Sequence, residues 1–203
     1  MNRRSADETR RKINDAALRV FSASGFENSN MRMIAGEAGI SVGALYLYYK
    51  SKDELCSTVF KDLFDNFLQE IKTKVNPIPD PARQIRAYIS TYIDMARLHR
   101  EFIYSFNREK GFAYGVDWKR SFFVELRSFI DAIIKKGIDS GVFGDINTDE
   151  ATKIIMSVLR GYVVSIVIDP ENLFDPDACA DILLNGLIKR DGGGGKVTGN
   201  EED

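Results

Sequence analysis

Apolar residues recur along this chain at helical rather than strand spacing. From Thr9 to Ala23, Ile13, Ala16, Ala17, Val20 and Phe21 share one stripe, and Gly25 supplies the stop. Ser29 or Asn30 is placed to cap a short helix, Met31 to Ala38, which Gly39 closes. Ser41 caps a second short helix, Val42 to Tyr49. A long one runs from Lys52 to Val75 with Leu55, Val59, Leu63, Phe67 and Ile71 at every fourth position. Its 24 residues would span about 36 Å at ~1.5 Å rise per residue.

The stretch Asn76 to Pro81 holds three prolines within positions 77–81 and admits no helix, so it reads as a corner between helices. Helical patterns follow at roughly 81–97, 99–109, 117–139, 149–168 and 177–189. Gly111, Gly115, Gly141, Gly144 and the segment from Pro170 to Pro176 mark the turns. Val163 to Ile168 is β-branched, yet it lies inside a longer helical period, and no stretch alternates strictly enough for a strand. The expected class is all-α, with about nine helices. The polar, glycine-rich end, residues 191–203, is expected to be disordered.

Composition adds bounds. Of 203 residues, 44% are hydrophobic and 29% charged, enough for a real core on a soluble chain. No apolar run approaches the ~20 residues of a membrane span, and the charged start has no apolar segment behind it to act as a secretory signal. Cys56 and Cys179 lie far apart without pairing motifs, so a free-thiol cytoplasmic protein is expected. The net charge of −2 hides an asymmetry. Residues 1–60 carry nine Lys/Arg against seven Asp/Glu, and the remainder carries 19 against 23. A weakly basic head on an acidic body is compatible with a local phosphate-facing surface. Arg3, Arg4, Arg10, Arg11 and Lys12 suit either an arm on DNA or a solvated end.

Chemistry for an enzyme is scarce. There is one histidine, His99, no nucleophile motif, and no cofactor or metal site is expected; a structural or solvent-exposed role suits His99. The run "DGGGGK" follows no strand and lacks the Ser/Thr of a phosphate loop.

The segment around Gly39-Ile40-Ser41 carries more. Two short helices joined through that turn form a helix-turn-helix, whose second helix enters the DNA major groove. Gly39 permits a left-handed turn. Val42, Gly43 and Ala44 are small enough for the helix axis to approach base edges, with thymine-methyl contact and shape as their means of reading. The hydroxyls of Tyr46 and Tyr48 suit phosphate oxygens, as does Lys52 at the next helix start. Tyr46, Tyr48 and Tyr49 would serve equally as packing aromatics, a role that suits Tyr49 best.

These residues resemble the DNA-binding domain of the TetR/AcrR family of transcriptional regulators. The resemblance rests on "Ala-Ala-Leu-x-Val-Phe" (Ala16 to Phe21), "Gly-Phe-x-x-Ser-Asn-Met" (Gly25 to Met31), "Ile-Ala-x-x-Ala-Gly-Ile-Ser-x-Gly-x-Leu-Tyr" (Ile34 to Tyr46) and "Tyr-Lys-Ser-Lys-Asp-Glu-Leu" (Tyr49 to Leu55). The chain departs from the family at Tyr48-Tyr49, where His-Phe is common, and at Asn30, where Thr is common. The resemblance implies a helix-turn-helix domain over 8–68 and a helical effector-binding and dimerisation domain over 76–190. It implies base-side contacts near Arg32, Val42, Gly43, Ala44 and Tyr46, with Ser41 at the helix start, and phosphate contacts near Asn30, Leu47, Tyr48 and Lys52. The implied partners are a pseudo-palindromic double-stranded operator, a second copy joined through about 149–189, and a small-molecule effector.

The middle of the chain is dense in aromatics, from Tyr88 through Phe102, Tyr104, Phe112, Tyr114 and Phe123 to Phe129. A helical core needs no further reason for them. As the lining of a family-type cavity they would favour an apolar or aromatic effector, with Tyr88, Tyr92, Phe106, Asn107, Trp118, Phe122 and Arg160 as lining residues. The expected function is a ligand-responsive regulator, most simply a repressor. An activator of the same fold and a helical small-molecule carrier that does not bind DNA are the alternatives.

Overall fold

The computed structural model describes residues 3–110 and 116–187, with side chains from residue 5 to 110 and from 119 to 187. Nine helices and no strand occur among them: α1 (Arg3–Ser24), α2 (Met31–Ala38), α3 (Val42–Tyr48), α4 (Lys52–Val75), α5 (Pro81–Leu98), α6 (Arg100–Lys110), α7 (Val116–Asp139), α8 (Thr148–Ile168) and α9 (Pro176–Leu187). The all-α expectation holds. Gly111, Phe112, Tyr114, Gly115, the side chain of Trp118 and the tail 191–203 lie outside the described residues.

Helix boundaries follow local chemistry. Asn30, Ser41, Ser51, Asp80 and Asn147 each accept a backbone N–H of the first turn through the side chain. Pro81 opens α5 where its missing N–H costs nothing. The acids Asp53 and Glu54 open α4, and Lys72 and Lys74 close it, in line with the helix dipole. Only α1 departs much from its expected span. It begins at Arg3, because the polar residues ahead of the apolar stripe are good helix formers facing water.

Two cores divide the chain inside α4. One joins Ile13, Phe21, Ile34, Leu45 and Leu55 with Phe102 and Phe106 of α6. The other joins Phe67 and Ile71 of α4 to α5, α7, α8 and α9, through Ile85, Tyr88, Leu126, Leu159 and Leu184. Partly buried Phe64 packs against both. The head is thus completed by α6, a helix from the C-terminal body. Arg97 Nε donates to the Tyr162 hydroxyl at 2.7 Å, tying α5 to α8.

Helix α8 corrects one expectation. Over 21 residues it reaches a mean hydropathy of 1.7, long and apolar enough to cross a membrane by length and composition, with a third of that window buried. Arg160 interrupts it and Tyr162 anchors it in the core. Its apolar surplus lies on an uncovered face, with Ile154 and Ile168 exposed.

Candidate nucleic-acid interface and inner cavity

The helix-turn-helix is built from buried anchors. Ile34 and Ala35 hold α2 to the head core, and Leu45 (fully buried) holds α3. Gly39 takes φ 68° and ψ 32°, and with Ile40 it returns N–H bonds to Gly36 and Ala35 carbonyls. Ile40 packs partly against the head core. The Ser41 hydroxyl accepts the Ala44 N–H at 3.1 Å and the Asn30 side chain accepts that of Met33 at 3.0 Å. With Leu45 turned inward, α3 presents Gly43, Tyr46 and Leu47 to solvent, Leu47 at 86% exposure. A leucine so exposed on a seven-residue helix lies outside the head core.

A shallow concavity brings Asn30, Arg32, Val42, Tyr46 and Lys52 together, and adds Ser29, Lys50 and Ser51. Lys50 was not singled out from sequence, although its position beside the tyrosines was the available signal. Arg32 and Asn30 are exposed, and Val42 and Ala44 half-buried.

Two expected phosphate contacts are placed otherwise. The Lys52 ammonium donates to the carbonyls of Phe26 at 2.6 Å and Ser29 at 2.9 Å, and stands 4.1 Å from the Phe26 ring centre. It braces the loop between α1 and α2 from within. The Tyr48 hydroxyl is buried, with no hydrogen-bond partner among the described residues, and its ring packs against the head core. Tyr49 is buried as expected. Its hydroxyl donates to Asn14 Oδ1 at 2.7 Å, and Asn14 donates onward to Asp62, linking the end of α3 to α1 and α4. Burial raises the Tyr49 phenol above its ordinary value.

From the body, α6 grips the same loop. Glu109 accepts the Glu27 N–H at 2.9 Å, and the Lys110 ammonium lies 3.2 Å from Glu27 Oε1 and 4.1 Å from the Phe26 ring centre. Gly25, at φ 77°, leaves no room for a Cβ, which would meet Glu109 Oε1 at 2.3 Å.

An inner cavity of about 340 Å³ lies where the two cores meet. Helix α4 contributes Phe60, Phe64 and Phe67, α5 Tyr92, the junction between α5 and α6 His99, and α6 Phe102 and Asn107. Lys119, Phe122 and Phe123 of α7 and Arg160 of α8 complete it. Four of the expected residues, Tyr92, Asn107, Phe122 and Arg160, line it. Tyr88 does not: it is fully buried in the body core, near Phe129, with its hydroxyl unpartnered among the described residues. Phe106 belongs to the head core, 4.2 Å from Phe60. His99, the residue that closes α5, is half-buried at the cavity rather than fully exposed. Burial lowers its pKa, so it stays neutral near pH 7. Burial raises the Tyr92 phenol and lowers the Lys119 ammonium.

No group of three or more His, Cys, Asp or Glu among the described residues is arranged to hold a metal ion. Cys56 is buried, and burial pushes its thiol up to about 12.

The structure thus joins a helix-turn-helix head to an all-helical body with an inner cavity. Residues 13–59 match the family model described as "Bacterial regulatory proteins, tetR family", so the N-terminal head is similar to that family's. An HTH-type transcriptional regulator of Staphylococcus aureus (strain USA300) is 39% identical over 70 residues, 34% of this chain. The match spans only 38% of that relative's length. A TetR transcription regulator from Haloarcula marismortui has the same fold, with TM-score 0.79 and 21% identity over 90% of this chain and all of that one. So does the transcriptional regulator FadR from Bacillus subtilis in complex with stearoyl-CoA, with TM-score 0.68 and 20% identity over 86% of this chain and 95% of that one.

Proposed function

We propose that this protein is a dimeric, ligand-responsive DNA-binding transcriptional regulator, a repressor that leaves its operator when an effector fills the inner cavity. The observation that carries the reading is α3, which holds Leu45 inward and offers Gly43, Tyr46 and Leu47 outward on a TetR-type head. Small residues and a thymine-methyl-sized apolar tip suit major-groove contact. Arg32, Lys50 and Asn30 flank it as phosphate partners, and the backbone at the starts of α2 and α4 adds N–H donors.

Pairing through α8 and α9 (about 149–189) is supported by the exposed apolar residues Ile154, Ile168 and Ile182. It would set two heads on half-sites of a pseudo-palindrome, ~34–36 Å apart. The body is supported as an effector domain by its cavity and by the stearoyl-CoA complex of the B. subtilis regulator of the same fold. Effector binding would act through α4 and α6, which both line the cavity and pack into the head. Work on an operator places the protein in the cytoplasm.

The test is a gel shift with the duplex upstream of its own gene. A salt-sensitive, sequence-selective complex of two protomers supports the reading. Absence of any complex at low salt, with small-molecule binding retained, would favour the carrier. Reporter transcription that falls when the gene is deleted would make the protein an activator.

A further inference from the structure

Helix α3 is poor in the chemistry that pairs with base edges. Its seven residues run Val-Gly-Ala-Leu-Tyr-Leu-Tyr, so Tyr46 and Tyr48 carry its only polar side-chain atoms. The Tyr48 hydroxyl is buried. Paired hydrogen bonding to a purine edge takes a side chain such as Arg, Lys, Asn or Gln, and α3 has none of these. The single hydroxyl of Tyr46 cannot make that double contact.

What α3 offers outward is apolar. Leu45 is fully buried, and Gly43 and Leu47, two residues to either side of it, stand exposed on the opposite face, one turn apart. A Cβ at Gly43 would meet nothing nearer than the Ser41 hydroxyl at 4.0 Å, so packing within the chain does not demand a glycine there. Its bareness serves an approach from outside, and Leu47 is the side chain that projects. An aliphatic tip gives nothing to a phosphate oxygen, and leaving it in water is unfavourable. Tyr46, the neighbour of Leu47, lines the shallow concavity with Arg32 and Lys50, and among the described residues no Asp or Glu lines it. That charge suits a polyanion beside the apolar tip.

We propose that Leu47 is a specificity-determining residue that reads the 5-methyl group of thymine in the major groove, with Gly43 giving the backbone room to approach. This rests on the reading of the head as DNA-binding and deepens it by naming the base feature that α3 selects. Thymine is the base whose major-groove edge carries a methyl group, beside an O4 acceptor that α3 leaves to water. Burying one methyl against a leucine is a factor of about four in affinity, and one such contact in each of two half-sites multiplies to about fifteen. Arg32 and Lys50 add phosphate attraction, which does not vary with sequence.

The test compares two duplexes of one sequence, that upstream of the protein's own gene, one of them made with deoxyuridine in place of every thymidine. Uracil pairs as thymine does and lacks only the methyl group. In anisotropy titrations at one salt concentration, the full-length protein should bind the thymine duplex about tenfold or more tighter than the uracil duplex. Leu47→Ala should bring that ratio below about threefold, chiefly by weakening binding to the thymine duplex. Leu47→Met keeps an apolar tip and should hold the ratio within about twofold of the parent. Leu47 lies outside the head core, so the circular dichroism of both variants should match the parent. Equal affinity of the parent for the two duplexes, an undiminished ratio in Leu47→Ala, or a ratio lost as fully in Leu47→Met would each overturn the proposal and leave the head a DNA-binding one. No binding of either duplex at low salt would overturn that reading, and the proposal with it.

Discussion

Replacing Lys52 by methionine tests what this lysine does. The substitution keeps most of the stem and removes the ammonium. In the structure that group makes two short hydrogen bonds to the carbonyls of Phe26 and Ser29, and stands over the Phe26 ring. Hydrogen bonds from a charged donor contribute ~1.5–3 kcal/mol each when sheltered, and a cation over an aromatic face ~0.5–1 kcal/mol where exposed. Lys52 is half-buried, so water screens and partly replaces these contacts. A net loss of about 2 kcal/mol is expected. For a chain of this size that is a fall of about 4–8 °C in Tm, measurable by circular dichroism alongside urea unfolding. The same variant then enters an anisotropy titration on DNA across a salt series. A lysine on a phosphate would carry a slope of about 0.9 in log K against log salt; a lysine bracing the loop carries none. The slope should therefore be unchanged. A variant as stable as the parent, with a slope shallower by about one, would refute the bracing role and restore the phosphate contact.

Tyr46→Ala and Arg32→Ala remove exposed groups from the helix-turn-helix face. Each should weaken operator binding about tenfold or more, with unfolding free energy within ~0.5 kcal/mol of the parent; full affinity in both would remove this face of α2 and α3 from the interface. At Gly137 a Cβ would stand 2.1 Å from the Phe143 ring, so Gly137→Ala should cost about 1–3 kcal/mol in urea unfolding by overpacking. Cys56, with its thiol raised to about 12, should resist a thiol reagent at pH 8 in the native state and react once unfolded. The folded pKa is above the unfolded value of ~8.5. The fold therefore holds the proton more tightly, and the Cys56 contribution is intact below that value and is lost as pH rises toward 12. Rapid labelling of native Cys56 would contradict its burial.

Much of the fold was legible because its signals are local. An apolar stripe, a cap and a glycine define α2 through residues within one turn of each end, and Asn30 and Gly39 do what their types suggest. The start of α1 was misread by the same logic, since its first turns carry no apolar stripe. The helix-turn-helix was legible from the long run of matching residues, but side-chain direction was not. Lys52 and Tyr48 sit at positions that look outward on a helical count, and each finds its place inward through contacts with loop 25–30 or the head core. The cavity was the hardest. Aromatics at helical spacing serve a core and a lining alike, and only packing separates Tyr88, which is in the core, from Tyr92, which lines the cavity. His99 and Lys119 gave no sequence signal because the cavity they line is closed by residues from several helices.

The most direct test of the whole account is a stoichiometric anisotropy titration of the full-length protein against the duplex upstream of its own gene, repeated from about 50 to 200 mM salt. Saturation at two protomers per duplex is expected, with affinity falling steeply over that range and a scrambled duplex binding far more weakly. No saturable binding at the lowest salt, or equal affinity for both duplexes with one protomer bound, would contradict it.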